Sequence, residues 1–161
     1  RFHEILKKAD IISPWTVGRF AGTEDAKNYS VQTMQKDITW CKNEKRQFMP
    51  VIFPGFSWQN LEKARGRQTE LNQIPRLKGQ FLWSQAVNAK NAGAKMIYIA
   101  MFDEIDEATA IMKCTNNPPV GQSKFSDYEG LPSDHYLWLS GKIKEIFTDK
   151  SPANHQMPQR Q

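Results

Sequence analysis

A chain of 161 residues, 39% hydrophobic and 24% charged, has the balance of a globular protein with one domain core, which excludes disorder along its whole length. Its longest apolar run, residues 96–102, falls far short of the roughly 20 residues a membrane helix needs, so no membrane span is expected. The net charge of +5 invites a nucleic-acid reading, but the basic residues are scattered, and the runs 42–46 and 63–67 read as solvated surface; no nucleic-acid partner is expected.

The chain opens Arg1-Phe2-His3-Glu4 without an initiator Met, as a piece of something longer would, and a short helix is expected over 1–8. A first strand begins at Ile11-Ile12-Ser13-Pro14-Trp15. After a loop through Gly18 and Gly22, Val31, Met34, Ile38 and Cys41 recur at helical spacing and predict one buried helix face. Met49-Pro50-Val51-Ile52-Phe53 reads as the second strand and ends in Pro54-Gly55-Phe56-Ser57-Trp58. A loop to about Lys78 leads into a helix with Leu82, Ala86, Ala89 and Gly93 on one side. The third strand is the run 96–102, whose unbroken hydrophobicity predicts burial on both faces, as in a parallel sheet covered by helices. A last helix follows Pro132, with Ser133 as N-cap and Leu139, Ile143, Ile146 and Phe147 as its apolar stripe. Residues 151–161 read as a disordered tail.

Repeated strand, loop and helix units give an α/β fold, and three such units are too few to close a sheet. The expectation is a C-terminal half of a (β/α)8 barrel of the TIM type over residues 1–150, because a complete barrel takes about 250 residues. A small open α/β sheet is the alternative. Cys41 and Cys114 fit one bridge or two thiols, and no cysteine or histidine spacing points to zinc, so neither metal nor cofactor is expected.

In such folds chemistry sits in the loops after the strands. There the third strand runs into Asp103-Glu104-Ile105-Asp106-Glu107, four carboxylates in five positions. Their mutual repulsion has a cost that a ligand, a helix N-terminus or basic partners must offset. If the chain turns helical here, Glu104 and Glu107 share a face with Cβ atoms about 5 to 6 Å apart. That is compatible with the carboxyl separation of about 5 to 5.5 Å in retaining glycosidases. A solvated helix start and a site for calcium or magnesium are the other readings of the same residues. Trp15, Phe56 and Trp58 fall in strand-end loops, where flat rings serve sugars, although packing beneath a loop would equally place them there.

The segment Phe102-Asp103-Glu104-Ile105-Asp106-Glu107-Ala108-Thr109-Ala110-Ile111 resembles the Phe-Asn-Glu-Trp-x-Glu-Gly-Thr-x-Ile signature of glycoside hydrolase family 99, the endo-α-mannosidases and endo-α-mannanases, with the related family 71 of α-glucanases. Pro54-Gly55-Phe56 resembles that group's Pro-Gly-aromatic turn, and Pro75-Arg76, Gly79 and Phe81 resemble its Arg…Gly-x-aromatic stretch. The resemblance runs from about Ala9 to Phe147 and departs at Asp103, Ile105, Ala108 and Met112.

It implies a glycosidase acting on α-mannan or α-glucan with net retention. Glu107 would be the general acid and then the base, and Glu104 the base that takes the proton of the sugar's own 2-hydroxyl to give a 1,2-anhydro intermediate. Trp15, Phe56, Trp58, Arg76, Asp103 and Asp106 would bind the oligosaccharide or polysaccharide. The full-length protein is expected to be a monomer, and a secreted or periplasmic location goes with a polysaccharide substrate. A catalytically silent carbohydrate-binding barrel is the alternative from another functional class.

Overall fold

The computed structural model describes residues 2–119 and 121–160. Arg1, where the first expected helix starts, and Gln161, at the end of the expected tail, lie outside them.

Four short strands form two parallel pairs: β1 (Ile11–Ile12) with β2 (Gln47–Phe48), and β3 (Val51–Ile52) with β4 (Tyr98–Ile99). Ile12 stands opposite Phe48, and Ile52 opposite Ile99. The strands β2 and β3 are the expected second strand, divided at Met49-Pro50. The division has a local cause: Met49 N–H still donates to Ile12 on the β1 side at 2.9 Å, whereas Pro50 has no N–H, and its carbonyl accepts from Tyr98 on the β4 side at 3.0 Å. Successive strands therefore neighbour one another in chain order, as they do in a (β/α) barrel, although no closed barrel exists among the described residues.

The helices are α1 (Phe2–Leu6), α2 (Thr23–Tyr29), α3 (Gln35–Asn43), α4 (Gln59–Ala64), α5 (Gln80–Asn91) and α6 (His135–Phe147). A π-wound stretch, Ser30–Met34, joins α2 to α3, and its wider turn changes the phase of the expected stripe. Met34 and Cys41 are buried as the spacing predicts, whereas Val31 swings out to solvent. Helix α5 is central. The sequence predicts one buried side, but every residue from Phe81 to Ala89 is buried, because α5 packs on α2, β3 and α6 together. Three of those residues are polar, Ser84, Gln85 and Asn88; the Gln85 side-chain amide donates to the Phe53 carbonyl at 2.7 Å and its oxygen accepts from Phe53 N–H at 3.2 Å. The amide thus satisfies the backbone where the second strand leaves the sheet.

Three expectations are corrected, and of the two readings of the cysteines one is met. The third strand is paired only at Tyr98 and Ile99, and it is not covered on both faces: Tyr98 is 40% and Phe102 59% exposed, because β4 has no neighbour on its outer side among the described residues. Asp134, not Ser133, occupies the N-cap of α6, and Arg160 holds its carboxylate in a two-bonded ion pair at 2.7 and 3.0 Å. The tail is not disordered over its described part: Ala153 and Met157 pack on the core of α5 and α6, and Trp83 donates its indole N–H to the Asn154 carbonyl at 3.0 Å. The two cysteines are free thiols, Cys41 buried and Cys114 partly so.

Exposed strand edges with apolar side chains template association with another chain. The isolated 161-residue chain is accordingly expected to self-associate, and Tyr98→Lys, which places a charge on the open edge, to shift it toward monomer in light scattering. Equal association of both forms would show that the β4 edge is not the sticking surface.

Candidate active site

Parallel strands deliver their following loops to one end of the sheet, and here three loops meet. The loop after β1 carries Trp15, the loop after β3 carries residues 54–58, and the loop after β4 carries the four acids. Thr16 anchors the first by donating its hydroxyl to the Val51 carbonyl at 2.6 Å. Gly18 brings the same loop against Trp58: a Cβ at that glycine would lie 3.0 Å from the indole.

The loop after β3 is built on a short antiparallel bridge in which Phe56 and Ile74 exchange both backbone bonds, at 2.9 and 3.0 Å. Gly55 is dictated by close approach, since a Cβ there would meet Arg76 Cγ at 2.7 Å and the Ile74 carbonyl at 2.9 Å. Phe56 is buried and stacks on Trp58 with ring centroids 4.5 Å apart, so Trp58 is the half-exposed member of the pair.

The acidic loop is not helical, which corrects the i, i+3 geometry expected of Glu104 and Glu107. It folds back on itself. Met101 N–H donates to the Thr109 carbonyl at 3.2 Å, Ile111 and Met112 both donate to the Phe102 carbonyl, and Thr109 N–H donates to the Glu104 carbonyl at 3.1 Å. The Glu104 side chain accepts from Asp106 N–H at 3.0 Å. Ala108 turns the chain with φ of 58°, a left-handed conformation that costs a non-glycine residue roughly 1–2 kcal/mol. The strain is held in place by the flanking bonds and by the burial of residues 108–111.

Two contacts dock this turn on the aromatic loop. Ser57 N–H donates to the Glu107 carbonyl at 2.8 Å, and the Asn60 amide donates to Asp106 Oδ1 at 2.8 Å and to the Lys124 carbonyl at 2.8 Å. Docking leaves Glu107 half-buried, while Phe102 and the 45% exposed Ile105 on the same loop stand largely in solvent. Burial pushes the Glu107 carboxyl above the usual carboxylate range, and the charges of Glu104 and then Asp106 push it the same way. Among the described residues none of the four acids has a basic partner in ion-pair contact, and no group of three His, Cys, Asp or Glu side chains is placed to hold a metal ion.

The structure thus brings Trp58, Asp106, Glu104 and Glu107 to one end of the sheet, with Asp103 exposed on the same loop and Trp15 52% exposed on the neighbouring one. Phe56 and Arg76 differ from expectation. Both are buried, Arg76 at 5% exposure, so neither offers a face to a sugar. Sequence reasoning missed Ser57, Asn60 and Tyr128. Their roles rest on backbone contacts between loops distant in sequence, which leave no periodic or compositional trace.

No protein-family model matches the chain, and neither does any curated protein. Among solved structures it is similar to the GH99 endo-alpha-mannosidase from Bacteroides thetaiotaomicron, at 23% identity and a TM-score of 0.66, over 87% of this chain and 38% of that one. It is likewise similar to that endo-alpha-mannosidase in complex with bis-tris-propane, at 22% identity and a TM-score of 0.62, over 78% of this chain and 37% of that one. The fold is therefore GH99-like, and the chain spans well under half the length of these structures. Neither structure extends the likeness to family 71.

Gly55→Ala in the full-length protein is expected to cost about 1–3 kcal/mol, because the new methyl meets backbone it cannot displace. Chemical denaturation checks this, and unchanged stability would mean that the two loops are not packed as described.

Proposed function

We propose that residues 1–150 are the C-terminal part of a (β/α)8 barrel whose full-length protein is a glycoside hydrolase acting on α-linked glycans, of the α-mannan or α-glucan type. The observation that carries this reading is the half-buried Glu107, whose carboxyl is raised by burial and by Glu104 on the same turn, with no basic group beside either. A carboxyl raised in this way holds its proton to higher pH than an ordinary glutamate, which is the direction a general acid requires, and Glu104 beside it has the chemistry of a base. The GH99-like fold supports the same chemistry.

In this mechanism Glu107 gives its proton to the departing glycosidic oxygen as the bond to the anomeric carbon breaks. Glu104 takes the proton of the sugar's 2-hydroxyl, whose oxygen closes on the anomeric carbon as a 1,2-anhydro sugar. Water then attacks the anomeric carbon and passes a proton to the Glu107 carboxylate. The bond from that carbon to the 2-oxygen breaks, and Glu104 returns its proton to that oxygen. Both carboxyls are thereby reset, and two inversions give net retention. Trp15, Trp58, Asp103 and Asp106, all exposed or half-exposed around the pair, provide the surface for the sugar. Ile105 favours a second reading, in which the barrel binds glycans without turning them over: an exposed aliphatic side chain stands where the resembling signature carries Trp.

Glu107→Gln in the full-length protein is expected to lower turnover of natural α-glycans by about 100-fold to 10,000-fold. It should spare much of the activity on aryl glycosides, whose leaving groups need no proton. Glu104→Gln should depress both. Glycan binding without product release by the unmodified protein would favour the silent barrel instead.

The raised carboxyl also sets a pH dependence. Because the folded protein holds this proton more tightly than the unfolded chain, its contribution to stability is complete below the ordinary Glu pKa and is lost as pH rises through the folded value. Glu107→Gln should therefore melt higher than the unmodified protein at neutral pH, with the difference closing toward pH 4. Activity should fall on the alkaline side as the acid loses its proton. Thermal melts and pH–rate profiles check both.

A further inference from the structure

Among the described residues Arg76 is the one strongly basic side chain buried near the acidic loop, and it has no carboxylate partner there. Its guanidinium lies between two rings, 4.9 Å from the centroid of Tyr128 and 4.5 Å from that of Tyr136. Its Nη2 donates to the Ala110 carbonyl at 2.8 Å, and its Nε and Nη1 find no acceptor. The Tyr128 hydroxyl donates to the Met112 carbonyl at 2.6 Å and lies 3.2 Å from the Ala110 carbonyl.

Stability alone does not explain this arrangement. Burying a charge is costly, and replacing such groups by apolar residues is often neutral or stabilising, whereas cation–π contacts recover only part of that cost. What the guanidinium and phenol hold in common is the returning limb of the acidic loop, residues 109–112. Thr109 of that limb donates both its N–H and its hydroxyl to the Glu104 carbonyl, at 3.1 and 3.4 Å, and Glu107 lies between the two.

We infer that Arg76 and Tyr128 are positioning residues that hold the returning limb and so fix where the Glu104 and Glu107 carboxyls stand, with Tyr136 as the second wall of the stack and no contact from Arg76 to the sugar. The inference rests on the acid/base reading above. It differs from a subsite role in what it predicts, since a sugar contact acts on binding whereas a buttress acts on the geometry of the reacting groups and on the burial of Glu107.

Two variants of the full-length protein test it. Tyr128→Phe keeps the ring beside the guanidinium and removes the hydroxyl bonds; Arg76→Lys keeps the charge and loses the planar fork and the stack. Each should lower kcat about 10-fold to 100-fold, because small misplacement of catalytic groups has effects of that size, with KM changed less than about twofold. Each should also lower the carboxyl titration midpoint of Glu107, read by 13C NMR, as the loosened loop admits water. The double variant should lose little more than the worse single variant, because both groups hold one limb. A raised KM with unchanged kcat and an unmoved Glu107 titration would overturn the proposal in favour of a sugar contact. So would two variants indistinguishable from the unmodified protein. The titration is read whether or not the protein is a glycosidase, and Glu107→Gln assayed in parallel reports on the acid/base reading alone. If Arg76→Lys does not fold, Tyr128→Phe decides the matter.

Discussion

Residues 47–52 pair with two neighbours at once, the first half with β1 and the second half with β4, and everything at the candidate site depends on that sharing. A strand that serves both sides in the parallel sense fixes the direction of all three expected strands. Their following loops then leave at the same end and have no choice but to pack on one another. The division at Pro50 is the device: the missing N–H ends pairing on one side, and the free carbonyl begins it on the other. Gln85 completes the arrangement by satisfying the Phe53 backbone immediately beyond the sheet, which fixes the take-off of the aromatic loop relative to α5.

From there the site is assembled by hydrogen bonds that end on the main chain. Ser57 N–H to the Glu107 carbonyl joins the second loop to the third, and the Thr16 hydroxyl to the Val51 carbonyl joins the first loop to the second strand. Such bonds hold the Cα positions of the acids, while Glu104 and Asp106 are further held through their carboxylates by Asp106 N–H and the Asn60 amide. The left-handed turn at Ala108 is a cost that a glycine would lower, and the four acids without a basic partner are a second cost, one that a loop meeting only structural demands would not carry.

Features that depend on local pattern were legible in the sequence. The apolar stripe of α6, the strand-loop-helix order and the acidic run at a strand end all follow from spacing and composition, and the structure places them as expected. Features set by long-range partners were not. Spacing cannot decide whether 104–107 turn helical, and they do not, because the returning limb captures the Glu104 carbonyl through Thr109. Composition assigned the tail to disorder, because Pro, Asn and Gln dominate it; two apolar residues, Ala153 and Met157, suffice to dock it once α5 and α6 present a groove. The resemblance puts Arg76 at the sugar, whereas the structure buries its guanidinium against two aromatic faces that no local pattern announces.

That replacement also explains how the acidic loop can be both charged and fixed. A carboxylate partner for Arg76 would be a strong anchor, but it would draw one of the four acids inward and neutralise it. Stacking between Tyr128 and Tyr136 satisfies the cation without consuming an acid, since a ring face offers negative potential and no titrating group. Burial keeps the Tyr136 phenol protonated, its pKa pushed up to about 12, and drives that of Tyr128 upward as well, so the stack does not change charge across the range in which carboxylates titrate. Of the three guanidinium nitrogens of Arg76, Nη2 donates to a neutral carbonyl in the limb, and none donates to an acid among the described residues. The loop is thereby held from beneath by groups insensitive to pH, while the groups above it, Glu107 first among them, keep their capacity to take up and release a proton.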